Sequence, residues 1–142
     1  MPLKAVIFDV YNTLFRNDTS CWTEVFGDIC RIQELPVSPD DLWVRWKTFE
    51  VRFRQTRTNM EHPEESPTFK TYQVAWAEAF VDAFDSLGIK GDPAHASQLS
   101  VDGMGNREPY EDTLSFLEYV GRRWKRALLT NADNGFIQPL LQ

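Results

Sequence analysis

Lys4-Ala5-Val6-Ile7-Phe8-Asp9 is the stretch that decides the fold. Four apolar residues in a row, Ala5 to Phe8, predict a strand buried on both faces, as in a parallel α/β sheet. The run stops at Asp9. A carboxylate at the end of a buried strand is costly unless it is hydrogen-bonded, paired or used. The turn after it, Val10 to Phe15, contains Asn12 and Thr13 and can aim backbone N–H groups at an anion. So placed, Asp9 suits nucleophilic attack by a carboxylate, with an ester or acyl-phosphate intermediate. The plainer alternative is that Asp9 caps the turn.

A second short apolar run lies far along the chain, at Arg126-Ala127-Leu128-Leu129-Thr130, followed by Asn131 and a helix start near Asp133. Thr130 and Asn131 bring a hydroxyl and an amide that suit substrate oxygens beside Asp9, or ordinary capping. Helical patterns fill the interval. Ser20 to Leu35 carries Trp22, Val25, Phe26 and Ile29 at helical spacing and ends before Pro36. Ser38 as cap, Pro39 as first residue and Asp40 and Asp41 behind it open the next, which runs to about Thr58. A third runs from about Thr68 to Leu87 through Phe69, Tyr72, Trp76, Phe80 and Phe84, with Gly88 placed for a left-handed cap. A short helix starts at Pro93. Ser100 to Glu108, with Gly103 and Gly105, reads as a connector, and Tyr110 to Arg123 as a crossover helix.

The expected fold class is therefore α/β: a Rossmann-like parallel sheet, with two strands joined by a right-handed crossover and an inserted all-helical cap. The expected organisation is core strand and turn over 1–16, helical cap over 17–95, and continuation of the core over 96–142. The insert is too long for a simple connection.

With 142 residues the chain is one domain's worth of protein, and 15 basic against 21 acidic residues give a net charge of −6. That balance argues against nucleic acid or an anionic membrane as partner, since both require a basic face. No apolar run approaches the roughly 20 residues that span a bilayer. The start of the chain lacks the long apolar region of a signal peptide. Cys21 and Cys30 fall within one helical pattern and fit neither a zinc site nor a disulfide framework. A reducing, cytoplasmic setting with packed thiols is the expectation.

Taken together, the two strand ends are more specific than either alone. Lys4 to Leu14 resembles the first motif of the haloacid dehalogenase (HAD) superfamily, an apolar strand followed by Asp-x-Asp/Tyr-x-Thr-Leu. Ala127 to Asn131 resembles the second, an apolar strand ending in Ser or Thr and often Asn. The helical insert is similar in place and size to the family's helical cap, and Pro109-Tyr110-Glu111-Asp112 to the lead-in of that cap class. The resemblance implies an Asp9 nucleophile, Thr13 and Thr130 orienting substrate or nucleophile by hydrogen bonds, and Asn131 assisting in the pocket.

Tyr11 stands where phosphatases of the family usually carry a second Asp, the general acid for the leaving group. A Tyr, with an ordinary pKa of about 10, donates poorly near neutrality. The 2-haloacid dehalogenase branch carries Tyr there, and halide leaves without a proton. Arg45, with Lys47 and Glu50, falls in a pattern that resembles the branch's cap helix, allowing one inserted residue. There an arginine lies near the substrate carboxylate, which a guanidinium can meet with two parallel hydrogen bonds. A solvated basic face is the alternative for this helix.

The implied function is hydrolysis of a carbon–halogen bond through an aspartyl ester, on a small anionic substrate and with no cofactor. Within the same superfamily the alternative is a magnesium-dependent phosphatase of small metabolites, in which Asp9 also holds the metal. The family's lysine and later acids have no counterpart after Asn131, since Lys125 precedes the second strand. The sequence therefore reads as an incomplete member, truncated after the second motif. A non-catalytic role, or pairing with another chain or a second copy through an exposed sheet edge, is the third expectation. A bare helical interaction module is the fourth.

Overall fold

A computed structural model describes residues 2–142; Met1, where the first core segment was expected to begin, lies outside the described residues. The elements in order are β1 (Ala5–Phe8), α1 (Thr19–Ile32), α2 (Pro39–Thr56), a 3-10 turn (Pro63–Glu65), α3 (Tyr72–Leu87), α4 (Pro93–Gly105), α5 (Thr113–Gly121), β2 (Lys125–Leu128), α6 (Asn134–Ile137) and a 3-10 turn (Gln138–Leu141). The chain divides into two compact units, residues 2–21 with Met104–Gln142, and Trp22–Gly103.

In the first unit β1 and β2 pair in parallel, Ala5 opposite Lys125 and Phe8 opposite Leu128. Helix α5 covers one face of the pair. Phe8, Leu14 and Val120 form the buried cluster, with Val6, Phe15, Leu117 and Trp124 packed against it, and Phe8 meets Phe116 edge to face at 6.0 Å. The expectation that β1 is buried on both faces is corrected here. Val6 and Phe8 turn inward while Ile7 between them is 63% exposed, because side chains alternate along a strand and α5 covers only one side. Strand β2 is exposed throughout. It also ends two residues sooner than the apolar run predicts: Leu129 N–H closes the ladder on Phe8 O at 2.9 Å.

The second unit is all helix. Ser38 caps α2 as its sequence implies: its Oγ accepts from Asp41 N–H at 3.1 Å and donates to the Asp41 carboxylate at 2.7 Å, with Pro39 in the first position. Gly88 ends α3 at φ 66°, a left-handed conformation that costs glycine nothing. Trp46, Phe26, Phe80, Ile29 and Leu42 are fully buried. The rings of Phe26, Trp46 and Phe80 lie 5.3–5.5 Å apart, inside the range where aromatic pairs attract beyond simple burial. Truncating such a side chain costs about 3–5 kcal/mol.

Helix α1 ends at Ile32, three residues short of expectation, and α5 is trimmed to Thr113–Gly121; two further boundaries differ more. Helix α3 begins at Tyr72, because Thr71 Oγ1 accepts from Val74 N–H at 3.3 Å and caps it there. Phe69, taken as part of its apolar stripe, is 81% exposed. Helix α4 continues through the expected connector to Gly105. The reason is packing: a Cβ on Gly103 would lie 2.4 Å from Val25 Cγ2, so α4 approaches α1 more closely than any larger residue allows. The helix after β2, α6, has only four residues.

Candidate active site

The turn after β1 is built on one carbonyl. Val10 O accepts from the N–H groups of Thr13, Leu14 and Phe15, at 3.3, 2.8 and 3.0 Å. Asn12 takes φ 60°, a left-handed position that asparagine tolerates better than most residues, and its N–H donates to Phe15 O at 2.7 Å. The fold so made places Thr13 over Asp9. Thr13 Oγ1 donates to Asp9 Oδ2 at 3.2 Å. Both side chains are exposed. No hydrogen bond among the described residues occupies Asp9 Oδ1, leaving that oxygen available as a nucleophile.

Parallel pairing carries the end of β2 to the same end of the sheet. Thr130 and Asn131 follow the last ladder bond by one and two residues. Thr130 Oγ1 is half-buried and accepts from Ala132 N–H at 3.2 Å, which leaves its own proton free for a ligand. Asn131 is exposed.

Tyr11 is used differently from its neighbours. Its hydroxyl faces two backbone carbonyls, Met104 O at 3.1 Å and Phe136 O at 3.3 Å, and its ring lies 5.9 Å from that of Phe136. Burial pushes the phenol above its usual range, and the Arg107 guanidinium opposes that only in part. The proton is thus held more tightly than in free tyrosine, and Tyr11 is an even poorer acid than its residue type implies.

Arg45 lies on α2, in the helical unit, exposed and without a partner among the described residues. Two basic neighbours serve the fold instead. Arg54 Nε is 2.8 Å from Oε1 of the buried Glu50. Lys47 Nζ is 3.1 Å from Glu50 Oε2, close enough to pair but out of line for a hydrogen bond. Arg45 is left uncommitted.

Sequence reasoning missed Arg107. It is only 8% exposed, donating from Nε to Asn17 Oδ1 at 3.1 Å and from Nη1 to Cys21 O at 3.1 Å, with Nη2 3.9 Å from Met104 Sδ. An arginine between Asn106 and Glu108 gives no pattern that marks it as buried.

Neither a family model nor a curated protein matches the sequence. Solved structures do. The L-2-haloacid dehalogenase from Xanthobacter autotrophicus superposes with a TM-score of 0.64 at 23% identity, over 99% of this chain and 51% of that one. The HAD-hydrolase YfnB from Bacillus subtilis, bound to magnesium, gives 0.75 at 13% identity, over 99% and 59%. The defluorinating L-2-haloacid dehalogenase Rha0230 gives 0.70 at 17% identity, over 97% and 55%. The chain shares the fold of these solved dehalogenase and HAD-hydrolase structures. The chain spans little more than half the length of these solved structures.

The turn after β1 carries a single carboxylate, Asp9. Among the described residues no three acids, histidines or cysteines gather to hold a metal. Tyr11, two residues on, offers its hydroxyl to carbonyls instead. No helix among the described residues is long and apolar enough to cross a membrane.

Proposed function

We propose that the protein is a hydrolase with Asp9 as nucleophile, acting on the carbon–halogen bond of a small 2-haloacid. Asp9 Oδ1 attacks the halogen-bearing carbon, halide departs with the bonding electron pair, and an ester forms on Asp9. Water then attacks that ester and returns the carboxylate and a hydroxy acid. Thr13 holds Oδ2, so one oxygen of the carboxylate is steadied while the other reacts. Thr130 and Asn131 donate to the substrate. The observation that carries this reading is the state of Tyr11. Its proton is turned to two carbonyls and firmly held, so the nucleophile's turn supplies no general acid, and halide is a leaving group that requires none. Dehalogenases of known structure share the fold.

A magnesium-dependent phosphatase is the second reading, favoured by the likeness to magnesium-bound YfnB. In that case Asp9 attacks phosphorus. Assays of halide release from 2-chloropropionate and of phosphate release from sugar phosphates with magnesium separate the two. The proposal predicts halide release that Asp9→Asn reduces by about 10³-fold or more. Phosphate release that increases in Tyr11→Asp, without halide, supports the second reading instead. If neither product forms, the 142-residue chain by itself is non-catalytic. We further propose that the open sheet edge pairs with another copy of the chain.

A further inference from the structure

The buried guanidinium of Arg107 stands at the head of a series of hydrogen bonds, linked through residues 17 and 12–13, that leads to Asp9. Arg107 Nε donates to Asn17 Oδ1 at 3.1 Å. Asn17 N–H donates to Asn12 Oδ1 at 3.1 Å. Asn12 is the left-handed residue of the Asp9 turn, and the next residue, Thr13, carries the hydroxyl bound to Asp9 Oδ2. The same guanidinium binds Cys21 O and lies against Met104 Sδ. Cys21 is the last residue before the chain leaves the first unit and Met104 the first after it returns. Met104 O also receives the Tyr11 hydroxyl. One rigid planar cation therefore touches both chain crossings and, through Asn17, is linked to the turn that holds Asp9.

We propose that Arg107 is a positioning residue: acting through Asn17 and Asn12, it ties both chain crossings to the Asp9–Thr13 pair and sets that pair's geometry. An asparagine at φ 60° is strained unless its surroundings fix it. Here the fixing comes from its side-chain bond to Asn17, whose amide oxygen is in turn held by Arg107. A lysine lacks the forked donors that reach Asn17 and Cys21 together. The significance of the pair for catalysis rests on the hydrolase reading above; the path itself does not.

Amide exchange followed by NMR on the full chain tests the path directly. In Arg107→Met the Asn12 and Leu14 amides should exchange roughly tenfold faster, the effect of losing one ordinary hydrogen bond, while Ala79 and Phe80 in α3 stay as they are. Asn17→Ala should reproduce the change, and the double variant should add nothing to it, because both act along one path. Arg107→Lys should restore only part of the protection. Should Arg107→Met loosen α3 as well, Asn17→Ala decides, since it leaves the other guanidinium contacts in place. Unchanged turn amides in Asn17→Ala, or additive effects in the double variant, overturn the proposal. A second measurement follows ester formation on Asp9 with a 2-haloacid. Arg107→Met should lower the limiting rate and leave the half-saturating concentration unchanged. If the wild-type chain forms no ester, the hydrolase reading fails, and the exchange data alone judge the path.

Discussion

Asp9 and Thr13 are four residues apart and meet because Asn12 bends the chain between them. Tyr11 shares that turn and does a different job, tying the turn to Met104 and Phe136. Its phenol is raised by burial, so the folded state keeps the proton more strongly than the unfolded one. The stability Tyr11 contributes is fully present below about pH 10, the ordinary phenol value, and is lost as pH rises beyond it. Urea unfolding at pH 8 and pH 11 should therefore show Tyr11→Phe less stable than wild type by ~1 kcal/mol at pH 8, from the lost hydrogen bond. The gap should shrink at pH 11; a constant gap contradicts the account. At this scale the placement of Asp9, Thr130 and Asn131 just beyond the paired strands was legible, because each follows an apolar run that breaks into polarity. Arg107 and Asn17 were not, because their partners are up to 90 positions away in sequence and neither falls in a periodic segment.

Helices were legible where their ends carry a local chemical signal. Ser38-Pro39 and Gly88 mark boundaries that depend only on nearby backbone groups. Thr71 is an equally good cap, yet Phe69 before it continues the apolar spacing and hides it. Gly103 misled in the opposite way, since glycine usually marks a break and here permits close packing against Val25. Gly103→Ala should consequently destabilise the protein by about 1–3 kcal/mol, as overpacked cores do. Thermal unfolding checks this in two backgrounds. In Val25→Ala, where the 2.4 Å clash has no methyl to meet, the same substitution should cost much less. Equal losses in both backgrounds point to lost backbone freedom elsewhere instead.

Across the whole molecule, the continuous run Ala5 to Phe8 announced a sheet with both faces covered, and only the α5 face is. An apolar groove of about 420 Å³, lined by Phe8, Leu14, Leu117, Leu128 and Leu141 among others, remains open beside β2. Leu129 stands 73% exposed at the strand end. Exposed backbone edges with apolar flanks favour association. Sedimentation across a range of concentrations should show self-association, and Leu129→Lys should weaken it by placing a charge in the contact. A monomer at every concentration removes the proposed pairing without touching the site. The central claim is that Asp9 is a carbon-attacking nucleophile, and peptide mass spectrometry after brief incubation with 2-chloropropionate tests it most directly. The account predicts one propionate esterified to the peptide containing Asp9, absent in Asp9→Asn. An unmodified Asp9 peptide, or an adduct that persists in Asp9→Asn, contradicts it.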